Sequence, residues 1–406
     1  MYRGIQVTSE IGTLKKVLLH RPGRELLNLT PDLLEELLFD DIPYLKAAQQ
    51  EHDAFAQILR DNGVEVVYLE DLMADVIKDS TIRDKFILQY LEEGLSDRRY
   101  FHDAYEYLND FSDRKQLVLK TMEGIHSRDV HTNISVSLAD MVHGTGNMLI
   151  KPMPNLYFTR DPFSSIGTGI SLHHMYSETR RRETIYSEFL FDYHPDYCHS
   201  VRKYYDRYDP YHMEGGDILV LNEHTLAVGI SQRTEANAVD YLAKHLFRDE
   251  DNIDTVYAFD IPKSRSFMHL DTVFTQIDRN IFTVHPEILG DVRVFKLTRS
   301  SDKTIHILPM QEHLDTILRE ALQLDQIVLI PCGGTDSIAA QREQWNDGSN
   351  TLCIAPGVIV VYERNEVTNA LLESYGIRVL KIPSSELSRG RGGPRCMSMP
   401  LWRDKL

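Results

Sequence analysis

The feature of this sequence that most restricts its fold is a block that recurs four times. Each copy begins with an acidic or amide residue, which is followed by an apolar strand, a turn at a matching distance and a second apolar segment. The clearest copy runs from Asp217 through Ile218 to Leu221, turns at Asn222-Glu223-His224 and continues through Leu226 to Gly229. The remaining copies begin at Asp161, Asp271 and Asn350. The chain is therefore built from repeated strand-turn-strand units.

Two of these copies extend further in the same order. After the second strand, a helix is predicted from Val239 to Leu246 in one copy and from Leu371 to Tyr375 in another. Each helix leads into one more strand, Thr255 to Phe259 or Ile377 to Ile382. A strand-strand-helix-strand unit cannot bury both of its faces alone. About five such units packed in a ring would close one core, so we expect an α/β propeller.

The rest of the chain suggests an inserted helical region. A strand from Leu14 to His20, apolar residues at helical spacing from Pro31, a helix from Leu45 to Asn62 and a strand from Val64 to Leu69 form an α/β opening. The stretch from Asp71 to Asp140 is then almost free of proline and glycine and has helical periodicity. We expect residues 71–145 to form an inserted helical bundle, and residues 1–70 and 146–406 to form the catalytic α/β propeller domain.

Charge and cysteine usage narrow the classes of partner. The 61 acidic residues exceed the 44 lysines and arginines and give a formal net charge of −17, which argues against nucleic acid and an anionic membrane surface. We find no apolar run of membrane-spanning length and no leader segment. The four cysteines lack short paired spacings, which favours a reducing compartment. We therefore expect a cytoplasmic protein with a small-molecule ligand.

A glycine-rich segment near residue 396 is a candidate catalytic loop. It contains three glycines and a proline before Cys396, and arginines at 391 and 395 flank this thiol. Positive charge favours the thiolate, which is the nucleophilic form of cysteine. The alternative is a mobile terminal tail that contains an incidental cysteine.

A ring of repeats would bring equivalent strand ends to one centre. Asp161, Glu214 to Asp217, His269 to Asp271 and Cys396 would then converge, although they are far apart in sequence. A cysteine, a histidine and several acids are the components of a covalent hydrolase. The acids are too numerous merely to orient the histidine, and clustered carboxylates require a neutralising cation. No His-x-x-x-His or Glu-x-x-His spacing near these residues favours a metal, whereas a guanidinium pairs well with carboxylates.

Four intact motifs carry a resemblance to a known family. They are Phe158-Thr159-Arg160-Asp161-Pro162, Met213-Glu214-Gly215-Gly216-Asp217, His269-Leu270-Asp271-Thr272 and Cys396-Met397-Ser398-Met399-Pro400. With these motifs the chain resembles, over essentially its whole length, the arginine deiminase family of the guanidine-modifying superfamily. The resemblance implies the pentein fold, a fivefold pseudosymmetric α/β propeller, and hydrolysis of free L-arginine to L-citrulline and ammonia without a cofactor or a metal. It also implies a homo-oligomer, a dimer or larger.

The resemblance also assigns roles to individual residues. It implies that Cys396 is the nucleophile, that His269 is the general acid and base, and that Asp161 and Asp271 bind the guanidinium nitrogens. Glu214 would lie beside His269. The residues implied to contact or surround the rest of the substrate are Arg180, Arg233 and Arg391 at the α-carboxylate, Asn155, Phe158 and Gly390 along the channel, and Asp217 as the companion of Glu214. Arg395 receives no role, and Arg180 could instead belong to a solvated helix face.

Other functions share parts of this pattern. Agmatine deiminases, methylarginine hydrolases and amidinotransferases of the same superfamily also use a cysteine and a histidine. A noncatalytic ribosome anti-association factor has the same fold and has no need of Cys396. The acidic partners, the complete motif at Cys396 and the helical insertion favour arginine deiminase.

Overall fold

The computed structural model describes residues 2–131, 138–143, 148–248, 252–263, 267–300 and 304–406. The strands are β1 (Leu14–Leu19), β2 (Glu65–Tyr68), β3 (Ile125–His126), β4 (Met148–Ile150), β5 (Phe163–Ile166), β6 (Gly169–Leu172), β7 (Arg202–Tyr205), β8 (Ile218–Asn222), β9 (Thr225–Ile230), β10 (Thr255–Asp260), β11 (Phe274–Gln276), β12 (Ile281–Val284), β13 (Asp291–Arg299), β14 (Ile305–His313), β15 (Val328–Pro331), β16 (Leu352–Ala355), β17 (Val358–Tyr362), β18 (Arg378–Ile382) and β19 (Met399–Arg403). The helices are α1 (Leu45–Asp61), α2 (Leu69–Val76), α3 (Ser80–Gly94), α4 (Phe101–Asn109), α5 (Arg114–Glu123), α6 (Leu138–His143), α7 (Thr184–Tyr193), α8 (Ala236–Arg248), α9 (Leu270–Val273), α10 (Leu314–Leu322), α11 (Ser337–Trp345) and α12 (Glu366–Ser374).

Five sheets repeat one pairing pattern. Their strand orders are β5-β6-β7, β8-β9-β10, β11-β12-β15, β16-β17-β18 and β19-β1-β2. In each sheet the middle strand pairs antiparallel with the first strand and parallel with the third. A parallel pair needs a crossover connection, and a helix lies between the two parallel strands in every case. The predicted strand-strand-helix-strand units are thus present.

The pairing of β19 with β1 joins two distant parts of the sequence. Val17 lies opposite Pro400 and Leu18 lies opposite Met399. The backbone N–H of Gln6 also donates to the carbonyl of Leu401 over 3.0 Å. The sequence analysis gave no strand after Cys396, so β19 is an addition to the prediction. Its pairing fixes the segment that begins three residues after the candidate nucleophile.

Two local predictions differ from the structure. The apolar spacing from Pro31 forms only a 3-10 turn, Pro31–Leu33, and the chain then turns at Leu38, whose φ is +63°. The strand predicted from Thr272 begins only at Phe274, because residues 270–273 form α9. The hairpin β13–β14 was not predicted, and it extends the β8-β9-β10 sheet to five strands.

The helices between residues 69 and 123 share a hydrophobic core with the α/β region. Phe86 and Leu117 belong to the same buried cluster as Phe163 and Leu172 of the sheet β5-β6-β7. Leu88, an apolar residue of α3, is 39% exposed. Residues 132–137 and 144–145 of the predicted bundle lie outside the described residues. The division into a bundle at 71–145 and a surrounding α/β domain remains a prediction.

Candidate active site

Cys396 is held in a buried loop that leads into β19. Its backbone N–H donates to Asn350 Oδ1 over 3.2 Å, and its carbonyl accepts from the backbone N–H of Arg160 over 3.1 Å. Only 6% of the residue is exposed, and its Sγ is 3.7 Å from Asp271 Oδ2. The segment is therefore an anchored part of the core, which argues against a mobile tail.

The environment of this thiol differs from the sequence expectation. Burial raises the pKa of Cys396 well above its usual value, and the negative charges of Asp271, Asp161 and Asp347 raise it further. The flanking Arg395 does not counteract this effect, because its guanidinium pairs with Asp271 and Glu10. The prediction that flanking arginines favour the thiolate is therefore wrong. A cation bound among these carboxylates would favour the thiolate.

His269 and Glu214 form a buried pair. His269 Nε2 lies 2.9 Å from Glu214 Oε2, and both side chains are almost fully buried. Burial lowers the pKa of His269, but the charge of Asp161 and the hydrogen bond to Glu214 outweigh burial and raise it to about 9. Burial raises the pKa of Glu214, whereas Arg233, His269 and Arg180 lower it, and the net result is a pKa well below its usual range. His269 is therefore protonated, and it lies beside an ionised Glu214.

The backbone next to Glu214 shapes this pair. A Cβ at Gly216 would lie 2.6 Å from the ring of His269, so glycine permits the close approach. Asp217 Oδ1 accepts the backbone N–H of Leu270 over 2.9 Å, and its Oδ2 accepts the hydroxyl of Ser231 over 2.6 Å. Burial raises the pKa of Asp217 to about 6. Asp217 thus holds the backbone that carries His269.

Asp161 and Asp271 have the same arrangement around their carboxylates. Asp161 Oδ2 accepts from Arg180 Nη1 over 2.9 Å, and Asp271 Oδ2 accepts from Arg395 Nη1 over 2.8 Å. Their Oδ1 atoms are buried and find no hydrogen-bond partner within the described ranges. Buried carboxylate oxygens normally have partners, and a missing one indicates a ligand position. The two free oxygens suit the N–H groups of a guanidinium.

The three arginines predicted at the α-carboxylate have different surroundings. Arg180 also donates from Nε and Nη2 to Glu183, with distances of 2.9 to 3.1 Å. Arg233 Nη1 is 3.5 Å from Glu214 Oε1. Arg391 lies apart from this group, because its guanidinium stacks 3.5 Å from the ring centroid of Trp345 and its Nη1 is 3.5 Å from Asp40 Oδ2. Arg391 also lines two cavities of about 350 and 670 Å³.

The predicted channel residues lie close to the loop before Cys396. Asn155 Nδ2 donates to the carbonyl of Leu37 over 2.7 Å. The ring of Phe158 packs against Tyr157, with centroids 4.0 Å apart. A Cβ at Gly390 would lie 1.8 Å from the hydroxyl of Tyr157, so this position admits only glycine without movement. Phe158 and Gly390 therefore lie side by side, whereas the side chain of Asn155 contacts Leu37.

The structure adds residues to the site that sequence reasoning did not select. Glu10 and Asn350 contact Arg395 and Cys396 respectively. Asp347 has a φ of +57° and a buried Oδ2 that has no hydrogen-bond partner among the described residues. Burial raises the pKa of Asp347 to about 7. Asn350 headed a repeat and could have been selected on that ground, whereas no repeat or motif signals Glu10.

Among the helices of the described ranges, none combines the length and the apolar character needed to cross a membrane. That same part of the chain brings no three His, Cys, Asp or Glu side chains into an arrangement that could hold a metal ion.

This chain matches a family model, full-length relatives and solved structures. A family model described as arginine deiminase matches residues 35–403. The arginine deiminase of Treponema denticola is 58% identical over 406 residues, 99% of each chain, and that of Clostridium perfringens is 53% identical over 100% of this chain and 99% of its own. Among solved structures, an amidinotransferase from Microseira wollei in the saxitoxin biosynthetic pathway is 15% identical, covers 99% of this chain and 98% of its own, and has a TM-score of 0.56. A mutant of the DDAH from Pseudomonas aeruginosa complexed with citrulline is 15% identical, covers 95% and 99%, and has a TM-score of 0.53.

The α/β fold shared with these solved structures, together with the full-length relatives, defines a pentein-fold enzyme of the guanidine-modifying class. Within that class the identity of more than half over the full length is decisive. The chain belongs to the arginine deiminase family.

Proposed function

We propose that this protein hydrolyses free L-arginine to L-citrulline and ammonia through an intermediate covalently bound to Cys396. The observation that carries the proposal is the pair of buried, unpartnered Oδ1 atoms on Asp161 and Asp271 in the described structure, with the Cys396 thiol 3.7 Å from the second carboxylate. This arrangement matches a planar cation with N–H donors on two sides. The relatives named arginine deiminase support the same reaction.

The first half of the reaction forms a carbon–sulfur bond. The guanidinium binds between Asp161 and Asp271, and its charge favours release of the Cys396 proton to solvent. The thiolate adds to the guanidinium carbon and gives a neutral tetrahedral adduct. His269, protonated because its pKa is about 9, donates its proton to one nitrogen. Ammonia leaves as the carbon–nitrogen bond breaks, and a positively charged S-alkylthiouronium remains on Cys396.

The second half releases citrulline. His269 is now neutral and takes a proton from water, whose oxygen adds to the thiouronium carbon. The carbon–sulfur bond then breaks, and the proton of the added hydroxyl goes to solvent. The Cys396 thiolate regains a proton from solvent when citrulline leaves. The sum is one arginine cation and one water converted to citrulline, ammonia and a proton. The proposed contribution of Asp161 and Asp271 is to orient the carbon toward sulfur through both steps.

Recognition of the amino-acid end is assigned to Arg180, Arg233 and Arg391. Nε and Nη1 of both Arg233 and Arg391 are buried and form no hydrogen bond in the part of the chain that the structure describes. An α-carboxylate would supply the missing acceptors. Arg180 already pairs with Asp161 and Glu183, so its contribution would be shared with those acids.

The proposal also covers the architecture of the fold, the cellular location and the partners of the protein. We place the five sheets in a ring, as a fivefold propeller, because each has the same strand pairing and because β19 pairs with β1. We assign residues 71–145 to a helical insertion in that ring. Free thiols at all four cysteines support a cytoplasmic location, and the net charge of −17 supports small molecules over nucleic acid as partners. Self-association as a homo-oligomer is part of the same proposal.

Citrulline colorimetry on the purified protein tests the function. L-Arginine should give citrulline and ammonia in equal amounts, and agmatine and methylated arginines should react far more slowly. Cys396→Ala should abolish turnover and leave the fold unchanged, whereas Cys198→Ala, which removes another free thiol, should retain it. Turnover of L-arginine by Cys396→Ala above a few per cent of the wild-type rate would contradict the covalent route. Faster turnover of agmatine would contradict the substrate.

A further inference from the structure

Arg395, which the sequence analysis left without a role, is the most completely engaged side chain near Cys396. It is 1% exposed. Its Nη1 donates to Asp271 Oδ2 over 2.8 Å, its Nε donates to Glu10 Oε2 over 3.1 Å, and its Nη2 donates to the carbonyl of Ile218 over 2.9 Å. Each guanidinium nitrogen therefore has an acceptor, and the side chain is held in one orientation.

The contact from Arg395 determines how Asp271 is presented. It occupies Oδ2 and leaves Oδ1 buried, without a partner among the described residues. It also supplies a positive charge beside a carboxylate that is 0% exposed and acts on the same thiol as Asp161. A buried carboxylate without such a cation is strongly disfavoured. Arg395 therefore holds one oxygen of Asp271 and fixes the direction of the other.

Glu10 in turn holds Arg395 from the opposite side. Its Oε1 accepts the backbone N–H of Val220 over 3.2 Å, which ties the residue to β8. Burial raises the pKa of Glu10, but the charges of Arg395 and Arg160 lower it to well below its usual range. Glu10 is thus a permanent anion, although it lies 385 positions before Arg395 in the sequence. Glu10 therefore contacts Arg395, and Arg395 contacts Asp271, whose Oδ1 has no partner among the described residues.

We propose that Arg395, anchored by Glu10, is a positioning residue that presents Asp271 Oδ1 to the guanidinium of the substrate. The proposal rests on the proposed function, because the guanidinium of L-arginine is the group that Asp271 would receive. The role proposed for Arg395 is indirect, since each of its guanidinium nitrogens already donates to Asp271, Glu10 or Ile218. Its effect should therefore depend on the charge of the ligand.

Binding measurements in a Cys396→Ala background test this dependence. L-Arginine and L-citrulline share their α-groups, but only L-arginine has a cationic end that requires a correctly oriented Asp271 carboxylate. Arg395→Met should weaken L-arginine binding at least about tenfold, the equivalent of one charge-assisted hydrogen bond. It should weaken L-citrulline binding less than about threefold. Isothermal titration calorimetry at fixed pH and salt measures both constants.

Two more conservative substitutions should cause smaller losses of L-arginine affinity. Arg395→Lys keeps the charge but lacks the fork that bridges Glu10 and Asp271, so its loss of L-arginine affinity should be smaller than that of Arg395→Met. Glu10→Gln removes the charge and one of the two acceptor oxygens, which serve Arg395 Nε and the backbone N–H of Val220. It leaves the contact between Arg395 and Asp271 in place, so it should show the smallest loss. If Arg395→Met does not fold, these two variants decide the question with the same pair of ligands.

Arg207→Met is the matched control. Arg207 is also buried and also bridges two carboxylates, Glu93 and Glu188, but these acids lie outside the candidate site. Its loss should lower the melting temperature and leave the ratio of the two dissociation constants unchanged. Equal weakening of both ligands by the Arg395 variants, or no weakening, would overturn the proposal. A wild-type protein that forms no citrulline from L-arginine would instead refute the proposed function, so the two failures are distinct.

Discussion

Together with the charge of Asp161, Glu214 raises the pKa of His269, the residue proposed to transfer protons. Its Oε2 is 2.9 Å from His269 Nε2, and the pair is buried. With a pKa of about 9, His269 is mainly protonated at neutral pH, which suits donation to a departing nitrogen. The same charge would make the imidazolium a poor base, so the second half of the reaction depends on the proton that the first half has removed.

Glu214→Gln should move the alkaline limb of kcat/KM to lower pH. Glutamine keeps an acceptor for His269 but loses the charge that raises the pKa of His269, so the imidazolium loses its proton earlier as the pH rises. A displacement of about one pH unit or more is expected for the loss of one neighbouring charge. The measurement is the pH profile of kcat/KM with L-arginine. Glu235→Gln is the control, because Glu235 forms a 2.9 Å contact with His212 outside the His269 pair. An alkaline limb that stays in place would contradict the assignment of His269.

Arg391→Leu should reduce selectivity for an α-carboxylate. The guanidinium of Arg391 is stacked on Trp345, and its Nε and Nη1 form no hydrogen bond within the described residues. Loss of one charge-assisted hydrogen bond costs about 1.5 to 3 kcal/mol, or about tenfold to 150-fold in kcat/KM. The efficiency with L-arginine should fall by that factor, while the efficiency with agmatine, which has no carboxylate, should be nearly unchanged. Parallel losses on both substrates would contradict a role at the carboxylate.

For single residues, the sequence identified candidate site residues where a motif surrounds them. Cys396, His269 and Glu214 lie in intact motifs, and the structure places them in one buried region. Glu10 lies in no motif, and its partner is 385 positions away. A contact of that kind depends on the tertiary fold, so nothing in the local sequence around Glu10 could have identified it.

The 3-10 turn Gly215–Asp217 is the element that brings Glu214 and His269 together. It joins the glutamate to β8, while Asp217 accepts the first backbone N–H of α9. A side chain added at Gly216 would press on the imidazole ring of His269. The geometry of the Glu214–His269 pair therefore depends on this turn, on α9 and on the contact between them.

Gly216→Ala should lower kcat by about a hundredfold, the cost of displacing a catalytic group by about 1 Å. The new Cβ would lie 2.6 Å from the ring of His269, so the ring must move away. Gly290→Ala is the control, because a Cβ there meets no described atom within 4 Å. Steady-state kinetics with L-arginine and circular dichroism separate a displaced ring from a misfolded protein. A kcat close to wild type in Gly216→Ala would contradict the role of this turn.

Strands that belong to the repeat were predictable, and elements that depend on distant pairing were not. Alternating apolar runs and turn residues located β8, β9, β16 and β17 closely. β19 follows a glycine-rich loop, and its conformation comes from pairing with β1. The helical spacing after Pro31 was misleading because the positive φ of Leu38 turns the chain out of a helix.

At the scale of the whole molecule, β19 connects the site to the hydrophobic core. Leu401 is 0% exposed and belongs to the cluster that also contains residues of α3, α5 and α7. Leu401→Ala should lower the free energy of unfolding by about 2 to 5 kcal/mol. Leu406→Ala, at a position 56% exposed, should change it by less than about 0.5 kcal/mol. Chemical denaturation measures both, and equal values would contradict the role of β19 in the core.

The repeat allowed the number of α/β units to be predicted, but not that one unit would combine distant parts of the chain. The sequence predicts about five units, and the pairing pattern occurs in five sheets. One of these sheets combines β19 with β1 and β2, so its strands come from both ends of the described chain. Sequence periodicity alone cannot detect a unit that is divided in this way.

The β19–β1 pairing also has a consequence for biosynthesis. Translation produces β1 early, but its partner emerges only after Arg403 has left the ribosomal exit tunnel. Until then β1 exposes an unpaired edge, and the loop that carries Cys396 lacks its anchor. The growing polypeptide should therefore remain inactive toward arginine until β19 has emerged from the tunnel and paired with β1.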